Sequence, residues 1–248
     1  MKLKDKIALI TSGSRGIGYA IAEKYIQEGA KVAVAGSKAE TAKKACNLLK
    51  EKYPDADIIP VFADARNTDE INAMFDTVVN KWGYIDILVN NSGISTTKEI
   101  DLMSDEDFED VMNVNVTGMF RCARAAVKIM KAQGGCIINT SSLVSVNGTA
   151  RQCAYTASKF AVNGLTKSLS RELGPYNIRV NAVAPGVVAT DMVKESVTEA
   201  MAAYMNKLTP LGRMANPSEI ASAYVYLASD DASYTTGAIL NVHGGIVL

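Results

Sequence analysis

Tyr155 and Lys159 stand four residues apart in a stretch, Cys136 to Lys167, that reads as a strand, a hydroxyl-rich turn and a helix. On a helix that spacing puts them one turn apart on the same face. A free tyrosine has a pKa near ~10 and is a poor proton carrier at neutral pH. An ammonium one turn away favours the phenolate and draws that pKa toward the working range. Ser142 follows the strand-like run and supplies a hydroxyl that can reach the same point. The three side chains together suit proton donation to a carbonyl oxygen. A Tyr-x-x-x-Lys pair alone is common on helix surfaces, so its meaning depends on the elements that position it.

Those elements alternate along nearly the whole chain. Ile7 to Ile10 reads as a buried strand, and the glycine loop Gly13-Ser14-Arg15-Gly16-Ile17-Gly18 opens a helix that runs to about Gln27 and stops at Gly29. Residues 31–35 form a second strand, 38–53 a helix stopped by Pro54, and 58–63 a third strand. Thr68 suits the N-cap of the next helix, with Ile71, Met74, Phe75, Val78 and Val79 at helical spacing. Residues 86–89 make a fourth strand, followed by the loop Asn90-Asn91-Ser92-Gly93. A helix starts near Ser104 and a longer one covers roughly 106–132. The fifth strand is 136–140, and the tyrosine helix covers about 152–173. Residues 177–184 form a sixth strand, 190–215 an irregular helical segment, 218–228 a helix opened by Pro217, and 238–242 the last strand. This alternation predicts an α/β fold, a single Rossmann-type doubly wound parallel sheet of about seven strands with helices on both faces. No linker or repeat divides residues 1–248, so one domain is expected, with a substrate cover at about 187–215.

Composition narrows the function. Apolar content of 48% and charged content of 21% are ordinary for a globular protein. Basic and acidic residues balance at 26 each with no basic stripe, which argues against a nucleic-acid partner. No apolar run approaches ~20 residues and the opening segment lacks a signal-peptide pattern, so no membrane partner and a cytoplasmic location are expected. Cys46, Cys122, Cys136 and Cys153 lie apart within apolar patterns and read as buried free thiols. His243 is the single histidine, and no metal site is expected. Asp101, Asp105, Glu106, Asp107, Glu109 and Asp110 surround a helix start, where carboxylates suit the dipole. Met192, Met201, Tyr204 and Met205 fall in the expected cover, where they either line an apolar pocket or pack.

A glycine loop between a first strand and its helix is where such sheets hold a pyrophosphate, which rests on the helix N-terminus. Here the order is nearer G-x-x-x-G-x-G, with Ser12 in the first place. Thr11 to Gly18, Asp64, Asn90 to Gly93, Asn115, Ser142, Tyr155-x-x-x-Lys159, Pro185-Gly186 and the closing Thr236-Gly237 and Gly244-Gly245 follow one another in a particular order. In that order the chain resembles the short-chain dehydrogenases/reductases over essentially its whole length. Within that family it is similar to bacterial 3-oxoacyl-carrier-protein reductases and to bile-acid hydroxysteroid dehydrogenases.

The resemblance implies that Tyr155 is the general acid/base and that Ser142 orients the substrate carbonyl or hydroxyl. It implies that Lys159 binds the nicotinamide ribose and lowers the Tyr155 pKa, while Asn115 holds a water that relays protons. Cofactor contacts are implied for Ser12, Gly13, Ser14, Arg15, Gly16, Ile17 and Gly18 in the loop. They are implied also for Asp64 and Ala65 near the adenine, for Asn91, Ser92 and Gly93 on the adenosine side, and for Pro185, Gly186, Val188 and Thr190, the last at the nicotinamide carboxamide. In the family the helices equivalent to 106–132 and 152–173 pair between subunits. Here they carry Ala123, Ala125, Ala126, Ala157, Ala161 and Gly164, so a homotetramer is expected, with a dimer as runner-up. Three positions depart from the family pattern: Ser12 for the usual glycine, Ser92 for the usual alanine, and His243 where an acid or amide is common. His243 reads as a turn or subunit contact.

Cofactor choice is read from the residues. An NAD-selective site places an acid after the second strand, where it accepts from the ribose hydroxyls. Gly36-Ser37-Lys38 offers no acid before Glu40. Ser37, Lys38 and Arg15 suit a 2′-phosphate, which predicts NADP, with NAD as runner-up. The resulting expectation is an oxidoreductase interconverting a secondary alcohol and a ketone, a hydroxysteroid or another bulky apolar ketone. A 3-oxoacyl-[acyl-carrier-protein] reductase is the alternative, for which Arg121 and Arg124 are the basic docking candidates. A silent cofactor-binding sensor is disfavoured because Asn115, Ser142, Tyr155 and Lys159 are all present.

Overall fold

Strands whose residues are apolar on both faces need cover on both faces, and the chain supplies it. The structure, a computed structural model, describes residues 1–190 and 198–246. Seven strands form one parallel sheet: β1 (Ile7–Ile10), β2 (Lys31–Gly36), β3 (Ile58–Phe62), β4 (Ile87–Asn90), β5 (Gly135–Thr140), β6 (Ile178–Pro185) and β7 (Ile239–Val242). Their order is β3-β2-β1-β4-β5-β6-β7. The chain therefore reverses direction between β1 and β4, which leaves a crevice beyond the carboxyl ends of those two strands.

The helices are α1 (Gly16–Gln27), α2 (Ala39–Lys52), α3 (Thr68–Trp82), α4 (Asp105–Met112), α5 (Met119–Met130), the short α6 (Val144–Asn147), α7 (Cys153–Leu173), α8 (Glu199–Leu208) and α9 (Pro217–Ala228). Successive strand residues point to opposite faces. Ala8, Ile10, Val32, Val34, Ile87, Val89 and Ile138 pack with α1, α2 and α9. Leu9, Ala33, Leu88 and Ile137 pack with α3, α5 and Leu173 of α7. The strand ends differ from expectation by a residue or two at most.

Two expectations need correcting. The long helix expected over 106–132 is not continuous: α4 and α5 are joined by a π-helical segment, Asn113–Gly118, that holds Asn115. Gly118 explains the close packing there, since a Cβ at that position would lie 2.8 Å from the Ala65 Cβ. The N-cap of α3 is Asn67 rather than Thr68, because the Asn67 side chain accepts from the Asp69 and Glu70 N–H groups. Ser104 does cap α4, in a reciprocal box with Asp107, so part of the acidic run has a helix-terminal role. Asp110 is ion-paired with Arg66. Within 190–215 the described helix is α8, capped by Thr198, while Met192 lies outside the described residues. No helix among the described residues is long and apolar enough to cross a membrane.

Candidate active site and cofactor cleft

The loop after β1 and the loop after β4 face each other across the crevice. Thr11 joins them: its hydroxyl accepts from Asn91 N at 2.8 Å and from Ser92 N at 3.1 Å. Gly18 allows this approach, because a Cβ there would lie 2.1 Å from the Ser12 carbonyl oxygen. Gly16 takes φ +55, the left-handed region, and faces Thr190 at 3.3 Å from its would-be Cβ. The open N-terminus of α1 follows immediately, with Arg15 at its cap. The cleft has a volume of ≈ 250 Å³. Ser12, Arg15, Ser37, Asp64, Ala65, Ser92 and Gly93 all line it. Gly13, Ser14, Ile17 and Gly18 build its glycine turn, and Asn91 is tied into it by donating to the Ser12 carbonyl at 3.3 Å.

Lys38, expected at the cofactor, is not on the cleft wall. It is exposed, and its carbonyl accepts from Thr41 Oγ1 at the start of α2. Arg66, which the sequence reading passed over, does line the cleft. Its guanidinium is held by Asp110 at 2.7 and 3.0 Å and by Asp64 at 3.2 Å. No motif marked Arg66; its partner Asp110 lies on α4, distant in sequence.

Gly93 carries the cleft to the chemistry. A Cβ on it would be 3.4 Å from Asn115 Oδ1 and 3.6 Å from Lys159 Nζ. Asn115 is fully buried, and its amide donates to the Ile94 carbonyl at 2.9 Å and to Ser158 Oγ at 3.0 Å. Its Oδ1 accepts from Ile94 N at 2.8 Å, which leaves one lone pair of that oxygen for a water. Pro185 accepts from Leu143 N at 2.9 Å and so fixes the turn that carries Ser142. Gly186 passes His243 so closely that a Cβ would lie 2.7 Å from the His243 Cα. His243 itself closes a turn, its Nδ1 accepting from Gly245 N at 3.2 Å. Val188 forms a parallel bridge with Ala215, which ties the residues after β6 to those before α9.

The three residues singled out first do meet. Ser142 ends the turn after β5, and Tyr155 and Lys159 share a face of α7. Burial pushes the Tyr155 phenol above its ordinary pKa, and the nearby Ser142 hydroxyl opposes that rise. Burial alone lowers the Lys159 ammonium to about 8. Its Nζ donates to the Thr140 carbonyl at 2.8 Å and lies 5.5 Å from the Tyr155 ring centroid. This differs from the expected lowering of the phenol by the lysine. The same buried surroundings penalise both charged forms. Tyr155, Val187 and Leu208 pack against a buried cluster of Leu143, Val144 and Ile246. Met201 and Tyr204, which sequence left between pocket and packing, are exposed instead.

Residues 12–247 match the family described as enoyl-(acyl carrier protein) reductase. A 3alpha-hydroxysteroid dehydrogenase of Mediterraneibacter gnavus is 51% identical over 245 residues, 98% of each chain. The chain belongs to the short-chain dehydrogenases/reductases. A 3-oxoacyl-[acyl-carrier-protein] reductase of Aquifex aeolicus is 39% identical to this dehydrogenase/reductase over 247 residues, 99% of each chain. The crystal structure of a levodione reductase matches it with a TM-score of 0.94 at 32% identity, covering 98% of each chain. As a member of the family the dehydrogenase/reductase is an oxidoreductase acting on alcohol and ketone groups with a nicotinamide cofactor.

The residues present fit that cofactor. The left-handed glycine at the mouth of α1 and the cleft from Ser37 to Gly93 are what a dinucleotide laid along the sheet edge requires. Of the four cysteines, Cys46, Cys122 and Cys136 are buried free thiols as expected. Cys153 is only half-buried, with its sulfur 3.3 Å from the Met103 sulfur.

Proposed function

We propose that the protein reduces and re-forms a ketone on a bulky apolar substrate, a hydroxysteroid of the bile-acid kind. The observation that carries the chemistry is Tyr155 on α7 with buried Lys159 one turn on, its Nζ 5.5 Å from the Tyr155 ring centroid, and the Ser142 hydroxyl near enough to act on the phenol. In the reducing direction Tyr155 gives its hydroxyl proton to the carbonyl oxygen, and Ser142 donates a hydrogen bond to the same oxygen. When bound, the nicotinamide supplies the hydride. Lys159 holds the ribose hydroxyls beside Tyr155, and Asn115 fixes the Gly93–Ile94 turn against α7. A phenol kept neutral by burial is in the correct form to donate a proton.

Apolar side chains around Tyr155 favour a large hydrophobic substrate, and the 51% identity to a 3alpha-hydroxysteroid dehydrogenase points the same way. The carrier-protein alternative needs free basic residues at the mouth. Arg121 instead donates to the Ala65 carbonyl and to Asn113 Oδ1, both at 3.0 Å, and Arg124 lies over the Phe120 ring. Residues 187–215 act as the cover of a single catalytic domain spanning 1–248. Arg15 and Ser37 on the cleft wall favour NADP(H). Arg66 adds no free charge there, since Asp64 and Asp110 neutralise it. The protein works in the cytoplasm as a homotetramer built on α4, α5 and α7, where Phe108, Phe120 and Phe160 are exposed. Sedimentation at micromolar concentration should show the tetramer; a monomer alone would refute it.

The deciding experiment is a panel assay following NADPH and NADH absorbance. Steroid, bile-acid, acetoacetyl-thioester and small-ketone substrates are compared by kcat/KM. The steroids should lead. A larger value for the acetoacetyl thioester would transfer the assignment to the acyl-chain reductases.

A further inference from the structure

Tyr224 lies on α9, which packs on the opposite face of the sheet from α3 and α5, and it is fully buried. A phenylalanine would fill the same space with no polar group to satisfy, so the hydroxyl needs a reason. Its Oη is 2.8 Å from Thr140 Oγ1. Thr140 Oγ1 in turn donates to Asn91 Oδ1 at 3.3 Å. A threonine hydroxyl has one proton, which this bond uses, so the 2.8 Å contact carries the proton of Tyr224. The Thr140 carbonyl also accepts from Lys159 Nζ at 2.8 Å.

Thr140 is thus a junction between cofactor cleft and proton-transfer site, placed at the end of the β5 ladder. It is the last residue of β5 and pairs with Val183 of β6. On the other side the β4–β5 pairing ends one residue earlier, at Asn90 and Asn139. Beyond that pair the Thr140 side chain and carbonyl turn from the ladder to Tyr224, Asn91 and Lys159.

We propose that Tyr224 is a positioning residue of the active site, holding Thr140 so that its hydroxyl steadies Asn91 and its carbonyl steadies Lys159. The role rests on the proposed reaction, yet the contacts through which it acts can be tested without turnover. Around Lys159 the titratable groups are Tyr155 on its own helix and Tyr224 beyond Thr140. β5 presents the Thr140 carbonyl and the β4 loop presents Gly93. Burial accounts for the Lys159 shift with no contribution from a facing carboxylate.

The test is the Lys159 pKa read by side-chain NMR, with Lys159→Met assigning the signal, together with NADPH binding by fluorescence. In Tyr224→Phe the bond to the Thr140 carbonyl weakens. The Lys159 pKa should fall by about half a unit and NADPH affinity by about 3- to 10-fold. Thr140→Val removes the other end of the same bond and should give the same changes, and the double variant should add little to either. This second route also covers a Tyr224→Phe protein that fails to fold. Tyr25→Phe is the control. It deletes a buried hydroxyl that donates to the Tyr224 carbonyl at 3.1 Å, and should lower Tm without moving the Lys159 pKa. An unchanged Lys159 pKa in Tyr224→Phe or Thr140→Val, or the same shift in Tyr25→Phe, overturns the proposal. Failure of the wild type to reduce any ketone in the panel would refute the proposed reaction instead, and would leave the pKa result standing.

Discussion

The Ser12 hydroxyl lies 3.1 Å from the Ser92 hydroxyl, so two of the positions that depart from the family pattern bond to each other across the cofactor cleft. Ser12 takes φ +47, the left-handed region where a side chain is strained and glycine is not. The hydrogen bond offsets part of that strain. Ser92→Ala should cost about 1 kcal/mol of stability in the wild type. In a Ser12→Gly background, with no hydroxyl to meet and no strain to offset, the same change should cost close to nothing. Urea unfolding of the four proteins in a double-mutant cycle measures the coupling; additive effects would show that the pair does not act together.

Tyr155→Phe keeps the ring packed against the cluster of Leu143, Val144 and Ile246 and removes the transferable proton. Turnover should fall by ~10²–10⁴-fold while NADPH binding is kept. A variant that retains more than roughly a tenth of the wild-type rate would show that Tyr155 is not the proton donor.

Lys159 makes stability depend on pH in a defined direction. Its folded pKa, about 8, lies below the ordinary 10.5, so between those values the unfolded chain binds more protons than the folded one. Unfolding free energy from this group therefore rises as pH increases from about 8 to 10.5, and below 8 the cost of the buried charge is fully felt. Lys159→Met removes the effect. The stability of the variant relative to wild type should drop by about 2 kcal/mol between pH 7 and pH 10. Parallel curves for the two proteins would mean that the lysine titrates as it does in water.

Ser37 lines the cleft where β2 ends, and Gly36 before it leaves no room for a side chain, its Cβ meeting Thr41 Oγ1 at 2.5 Å. An acid at Ser37 would repel a 2′-phosphate and accept from the ribose hydroxyls. Wild type should prefer NADP(H), and Ser37→Asp should move the ratio of kcat/KM toward NAD(H) by tenfold or more. Equal values for the two cofactors in the wild type would remove the basis of this expectation.

Sequence alone carried the order of strands and helices, because alternating apolar runs and glycine turns are local signals that tertiary packing here reinforces. It also carried Tyr155, Lys159 and Ser142, since an i, i+4 pair on a helix and a hydroxyl after a strand are written in the spacing. The break in the helix expected over 106–132 was not legible, as Asn113 to Gly118 keeps a helical pattern while its backbone is π-helical and Gly118 lies against Ala65. Spacing also predicted that Lys159 lowers the phenol, but it carries no measure of how deeply the pair is buried. Burial, a property of the whole fold, penalises both charged groups and sets the sign. Nothing in the sequence marked Tyr224, because its partner Thr140 lies 84 residues away. The Ser12–Ser92 and Arg66–Asp110 contacts are likewise long-range, and only folding could show which polar side chains the crevice brings together.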